Sequence, residues 1–389
     1  MPEAPEIARD LLRVAVIGTG FIGPHHVDAA RRTGYARVAV LAGSDPTRTA
    51  RRAAELGVDR WSTDADAVIG DPDIEIIHVC TPNNTHVSLG RAVMEAGKHL
   101  VLEKPVALDR AGAAALVQAA ARHGRHAMVA LTYRGYPMVR RARELAAAGE
   151  LGDIRLVRGG YIQDWLSEPT DYNWRLEPEF GGPSRAVADI GTHWFDTAEF
   201  ISGVRVEAVL ADFATLIPVR LRPRDASAAF AGADGPGDPV AVRSEDAATI
   251  LLRFTSGARG ACVISQVSPG MKNDLRVEID GSRQSMAWRQ EAPERLWLRS
   301  RHEARLLVRD PGDEQPAAGV PSLPAGHPEG WGDALRDLLR PFYGAVVAGD
   351  PPSIDDAPYP TLVDGARSID FVEAAVASAA AGSWTAITP

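Results

Sequence analysis

The stretch that most constrains this chain is RVAVIGTGFIG, residues 13–23. Val14, Ala15, Val16 and Ile17 form an unbroken apolar run, the pattern of a central parallel strand covered on both faces. Gly18, Gly20 and Gly23 then match G-x-G-x-x-G. Between a strand and a helix, the first glycine permits a tight turn and the second lets backbone approach a pyrophosphate. The third lets the helix pack against the strand. The helix start offers unpaired N–H groups and a positive dipole end to the phosphates. The stretch therefore predicts dinucleotide binding; without a ligand it would be a glycine-rich turn.

Strand and helix alternate through the first 133 residues, with short connections. The strands expected are 14–17, 37–42 (RVAVLA), 74–80 (IEIIHVC), 99–103 (HLVLE) and 127–131. Asp45-Pro46, Thr85 and Asp109 are helix starts, and Gly34, Gly57 and Gly97 are stops. This is the pattern of a doubly wound parallel α/β sheet of Rossmann type, assigned to residues 1–133.

Residues 134–389 read as a second, α+β domain for substrate binding and oligomerisation. Helices are expected over 137–148, 184–202, 331–347 and 362–381. A long strand is expected over 154–162, then strands over 206–217, 247–254, 258–265, 274–280, 285–288 and 296–298. These form an open, mainly antiparallel sheet, with loops at 222–243 and 310–327. One face needs helices and the other needs a different cover. A partner subunit fits, so a homodimer or homotetramer is expected.

Composition excludes several classes. The chain of 389 residues is 45% hydrophobic and 24% charged, an ordinary globular balance. A net charge of −9 argues against nucleic acid or an anionic membrane as partner. Cys80 and Cys262 suggest neither a disulfide framework nor a metal site, and no metal is expected. No run approaches about eighteen apolar residues, and residues 1–12 lack a secretory pattern, so a cytoplasmic location is expected.

Ligands of open α/β sheets bind beyond the carboxyl ends of the strands. Those ends here are 18–23, 42–45, 81–86 and 103–105. Gly43 stands where an acid would hold a ribose 2′-hydroxyl. Asp45 is late and suited to capping, while Ser44 and Arg48 tolerate a 2′-phosphate. The cofactor is therefore NAD or NADP.

Lys104 follows a strand end and precedes Pro105, so it points toward the crevice. Taken singly, it reads rather as a surface lysine beside a loop. Asp189 and His193 are four apart on an expected helix, which places them on one face. A carboxylate there fixes an imidazole for general-base work; alone, the pair also reads as structural. Tyr133, Arg134, Tyr136, Tyr161, Gln163, Asp164, Trp165, Tyr172, Trp174 and Arg175 mix aromatic faces with polar groups. That mixture suits a small polyhydroxylated ligand.

The ordered set GTGFIGPHH (18–26), TPNNTHV (81–87), EKP (103–105), YR (133–134) and GGPSRAVADIGTHWFD (181–196) resembles the Gfo/Idh/MocA oxidoreductases over nearly the whole length. YIQDW (161–165) with WR (174–175) is similar to the sugar-dehydrogenase branch. The resemblance implies Lys104, Asp189 and His193 as catalytic residues. It implies nucleotide contacts from Gly18, Gly20, Phe21, Ile22, Thr81, Pro82, Asn83, His86 and Glu103, beside Gly23, Ser44, Arg48 and Lys104. Substrate contacts would come from Lys104, Tyr133, Arg134, Tyr161, Gln163, Trp165, Trp174, Arg175, Asp189 and His193.

The activity expected is NAD(P)-dependent, reversible oxidation of a ring secondary alcohol of a sugar, glycoside or cyclitol. His193 would be the base, oriented by Asp189, and Lys104 would hold the reacting oxygen; Lys104 and His193 could exchange the proton role. Alternatives are imine or biliverdin-type reduction, dihydrodiol oxidation, or a non-catalytic sensor of nucleotide or sugar.

Overall fold

The computed structural model describes residues 11–224, 237–311, 323–354 and 357–387. Its N-terminal sheet has six parallel strands: β1 (Leu12–Ile17), β2 (Ala36–Ala42), β3 (Arg60–Ser62), β4 (Ile76–Val79), β5 (His99–Leu102) and β6 (Ala127–Val129). Their spatial order is β3-β2-β1-β4-β5-β6. The order reverses beside β1, at the crevice into which the glycine turn opens. Val14, Ala15 and Val16 are fully buried, as a strand covered on both faces requires. The edge strand β3, Arg60-Trp61-Ser62, is a correction to the sequence reading. It is short and largely exposed, so it carries no apolar run.

The second sheet has nine strands. They are β7 (Ile154–Ile162), β8 (Val206–Ala214), β11 (Ala247–Phe254), β12 (Arg259–Ser265), β13 (Asp274–Gly281), β14 (Ser285–Arg289), β15 (Arg295–Arg299), β16 (Ala304–Val308) and β17 (Thr385–Ala386). A ribbon of β9 (Val219–Pro223) and β10 (Gly237–Ala241) stands apart. Part of the expected loop 222–243 is therefore strand, while 225–236 lies outside the described residues. The expected loop 310–327 likewise includes 312–322, outside the described residues. The sequence also gave no sign of β16, which is exposed at nearly every position. The sheet is mixed, because β7 pairs parallel with β12 and antiparallel with β13.

Helices Pro137–Ala147, Thr192–Ser202 and Leu362–Ala381 belong to the layer packed on one face of this sheet. The fully buried Trp194 donates from Nε1 to the Arg276 carbonyl at 2.8 Å. Gly159 in β7, at φ 153°, makes that approach feasible: a Cβ there would lie 2.0 Å from the Arg276 carbonyl oxygen and 2.8 Å from Trp194 Nε1. Among the described residues the opposite face carries no cover, with Leu251 and Val263 each 43% exposed and Trp297 39% exposed.

Helix Trp331–Ala348 covers the first sheet rather than the second. Leu335, Leu338, Leu339, Phe342 and Tyr343 pack with Val14, Val16 and Val38 in one buried cluster. Both sheets thus depend on late segments of the chain. Among the described residues, no helix is long and apolar enough to cross a membrane, and no group of three or more His, Cys, Asp or Glu could hold a metal.

Candidate active site

The glycine turn has the geometry that a dinucleotide needs. Gly18 sits at φ 125°, and a Cβ there would lie 2.2 Å from the Cys80 carbonyl oxygen. A Cβ on Gly23 would lie 2.0 Å from the Gly18 oxygen, so the helix meets the turn backbone to backbone. Gly20 faces open space. Phe21 stands exposed beside it, edge-on to His25, and Ile22 begins the helix. Beyond β2, Ser44 and Arg48 are exposed and lie together, Arg48 Nη2 to Ser44 Oγ at 3.4 Å. The Asp45 carboxylate caps its helix by accepting from Arg48 N at 2.6 Å. These residues fit a dinucleotide lying across the strand ends.

The loop carrying Thr81, Pro82 and Asn83 is held from within. Thr81 and Thr85 hydroxyls meet at 2.6 Å. His86 is fully buried; its Nδ1 faces the Pro105 carbonyl at 2.7 Å and its Nε2 the Thr81 carbonyl at 2.9 Å. The ring ties the two crevice loops together instead of facing the crevice.

Glu103 is also turned inward. Its Oε1 meets His26 Nε2 at 2.9 Å, His26 Nδ1 meets His78 Nδ1 at 2.9 Å, and His78 Nε2 meets Tyr343 Oη at 2.7 Å. Burial works to raise the Glu103 carboxyl, but His26 and Lys104 hold it below its ordinary value. An ionised carboxylate only accepts, so His26 Nε2–H donates to it. His78 and the Tyr343 hydroxyl continue this buried chain of contacts. One hydrogen-bonded chain runs from helix Trp331–Ala348 to the strand end before Lys104.

Lys104 follows Glu103 at the end of β5, and the Lys104–Pro105 bond is cis. Lys104 Nζ donates to the Asp189 carbonyl at 2.7 Å and to Asp189 Oδ1 at 2.9 Å. Arg175 Nε also lies 3.2 Å from that Oδ1, and Gln266 Nε2 donates to Oδ2 at 2.9 Å. Burial works to raise the Asp189 carboxyl, yet Lys104 and Arg175 hold it well below the usual carboxylate range.

The expected orientation of His193 by Asp189 is corrected here. Residues Val187–Gly191 form a π-turn, wider than an α-turn, before helix Thr192–Ser202. Two cations and an amide claim the carboxylate, and no hydrogen bond reaches His193. Its ring makes none with any described residue, and its Nδ1 is buried without a partner. Burial, with the Lys104 charge added, pushes the imidazole well below its ordinary value and keeps it neutral. The π-turn is pinned from afar by Glu245, which accepts from Ser184 Oγ at 2.7 Å, Arg185 N at 3.0 Å and Val187 N at 2.9 Å.

A polar aromatic wall adjoins the imidazole. The Tyr133 ring is edge-on to it at 4.9 Å, and the Tyr133 and Tyr161 hydroxyls meet at 2.5 Å. Tyr161 donates to Asn273 Oδ1, which also accepts from Gln163 Nε2 at 2.8 Å; Trp165 Nε1 donates to Gln163 Oε1 at 3.0 Å. The Arg175 guanidinium lies over the Trp174 ring at 4.4 Å. Gln266 and Asn273 were missed from the sequence because single amides near strand ends carry no local pattern.

Arg134 does not join this group. Its guanidinium turns away to Asp196 Oδ2 at 2.9 Å and Asp364 Oδ1 at 2.9 Å, a buried ion cluster between helices. Adjacency to Tyr133 misleads, because successive residues of a tight turn diverge.

The chain is similar to known proteins over nearly its whole length. Residues 12–131 match the oxidoreductase family with an NAD-binding Rossmann fold, and residues 139–287 match the GFO/IDH/MocA C-terminal domain. Levoglucosan dehydrogenase of Pseudarthrobacter phenanthrenivorans is 30% identical, with 96% of this chain and 97% of that protein covered. Myo-inositol 2-dehydrogenase of Thermotoga maritima is 26% identical, with 88% and 90% covered. A solved levoglucosan dehydrogenase in complex with NADH and levoglucosan superposes with TM-score 0.87 at 28% identity, over 98% of this chain and all of that one. An inositol dehydrogenase homologue from Azotobacter vinelandii, complexed with NAD+, gives 0.85 at 30% identity over 97% and 98%. With both family models matched and a relative 30% identical over 96% of the chain, the protein belongs to the Gfo/Idh/MocA family of oxidoreductases and carries that family's NAD-binding Rossmann domain.

Proposed function

We propose that this protein oxidises a ring secondary alcohol of a sugar, anhydrosugar or cyclitol to a ketone, reversibly. The observation that carries the proposal is the convergence of Lys104, Asp189, Arg175 and a neutral His193 beside the Tyr161–Gln163–Trp165 wall. The relatives that act on levoglucosan and myo-inositol support the substrate class. NAD or NADP, when bound, supplies the hydride acceptor. Ser44 and Arg48 would hold its adenosine ribose, and the Arg48 guanidinium would accept a 2′-phosphate. Thr81, Pro82 and Asn83 would hold its nicotinamide half.

His193 takes the hydroxyl proton as the C–H hydride leaves, so one proton and one hydride depart and a carbonyl remains. Lys104 donates to the reacting oxygen and stabilises its developing negative charge. Asp189 aims the ammonium through two contacts, rather than aiming the imidazole. Arg175 and Gln163 take neighbouring hydroxyls, and Trp165 and Trp174 meet the C–H faces of the ring. The uncovered face of the second sheet mates with another copy, which sedimentation at two concentrations would test.

The test is reduced-nicotinamide absorbance over a panel of anhydrosugars, inositols and glycosides, with a dihydrodiol and a cyclic imine as controls. Turnover with a polyol ring alone supports the proposal. Turnover only with a control, or tight NADH binding without turnover of any member, rejects it.

A further inference from the structure

A cavity of about 370 Å³ lies at the C-terminal end of helix Thr192–Ser202, against helix Pro137–Ala147 and the residues before Leu362. Its charged lining is Arg134, Arg140, Arg143 and Arg205 against Glu199 and Asp364. The carboxylates are already spent. Asp364 takes Arg134, which also holds Asp196. Glu199 takes Arg205 at 2.8 Å and Arg367 at 3.0 Å.

Among the described residues Arg140 and Arg143 hydrogen-bond to neutral acceptors only, though the Asp337 and Glu144 carboxylates offset part of the burial of Arg140. Arg140 donates to the carbonyls of Arg134 at 3.0 Å and Asp337 at 2.9 Å. Arg143 donates to the Phe200 carbonyl at 2.8 Å and lies over that ring at 5.4 Å. Neither makes an ion pair among the described residues. Burial, and then the charges of Arg134 and Arg205, push the Arg143 guanidinium below its ordinary value, as expected of a cation lacking its counter-ion.

Part-buried cations without counter-ions are costly, and guanidinium groups match oxyanions with paired N–H donors. We infer that this cavity is a second ligand site, for a small multivalent oxyanion held by Arg140 and Arg143. It is lined by none of the residues assigned above to the dinucleotide or the reacting alcohol, apart from Arg134, which the structure removes from the substrate site. The inference is independent of the substrate class.

The test is calorimetry on the full chain saturated with NADH, so that the nucleotide crevice is filled. Pyrophosphate and citrate are the probes. Saturable one-to-one binding of either probe is expected, weakening as salt rises from about 50 to about 300 mM. Tighter pyrophosphate assigns phosphate esters and tighter citrate assigns polycarboxylates; both support the site. Arg143→Gln should weaken binding about tenfold or more, the loss of one charge-assisted bond. The exposed Arg91→Gln should not. A crystal of the wild-type protein soaked in the better probe should show it against Arg140 and Arg143, a readout that needs no variant to fold. No binding of either probe, wild-type affinity in Arg143→Gln, or density elsewhere would overturn the inference.

Discussion

Lys104→Met separates chemistry from binding. The substitution keeps the stem and deletes an ammonium that makes two contacts, both to Asp189. Asp189 is not stranded, because Arg175 at 3.2 Å and Gln266 at 2.9 Å remain. The loss of stability should therefore be about 1–2 kcal/mol, below the figure for an orphaned buried charge. A preorganised donor to a developing oxyanion is worth roughly 100–1,000-fold in kcat. NADH affinity should stay within about threefold, since no described contact of the ammonium involves the nucleotide loops.

The pH profile adds a second readout. His193 is depressed by burial and by Lys104. The wild-type imidazole is thus a free base through its ordinary value of about 6.5, and the acid limb of kcat/KM lies below it. Removing Lys104 deletes the second cause and leaves the first, so the limb moves up. Stopped-flow absorbance with the fastest substrate, NADH fluorescence titration and urea denaturation measure the three quantities. Wild-type kcat, or parallel losses of kcat and NADH affinity, would refute the assignment. An unmoved acid limb would remove the Lys104–His193 coupling.

Three further outcomes follow from the geometry. Tyr343→Phe leaves His78 Nε2 unpaired in a fully buried site and should cost about 1–3 kcal/mol in urea unfolding; an unchanged midpoint would show that the His78–Tyr343 bond adds nothing to stability. Arg134→Met strands the buried Asp196, while Asp364 keeps its Thr361 donors, so it should cost roughly 3–5 kcal/mol while leaving KM for the sugar near wild type; a KM effect in a folded variant would return Arg134 to the substrate site. Gly18→Ala forces a Cβ to 2.2 Å from the Cys80 oxygen at φ 125°, costing about 1–3 kcal/mol in backbone conformation alone. NADH titration should show lost binding in a chain still folded by circular dichroism, and normal binding would refute the close packing of the turn.

The order of elements was legible because its signals are local. An apolar run, a glycine spacing and a helix cap each depend on residues within one turn or strand, so β1, its glycine turn and the helix starts at Asp45 and Asp109 could be read directly. Lys104, Asp189 and His193 were also nameable, from their strand-end and helical positions and from motif order. What those groups do to one another was not. The sequence suggested that Asp189 serves His193; tertiary packing gives the carboxylate to Lys104, Arg175 and Gln266 instead. That choice rests on a π-turn pinned by Glu245, a residue about sixty positions away. Arg134 was misplaced for the same reason. Its partners Asp196 and Asp364 come from distant helices, and a buried guanidinium goes where its counter-charges are. Short-range sterics and apolar period are written along the chain, whereas pairing of buried charges is settled only when remote segments meet.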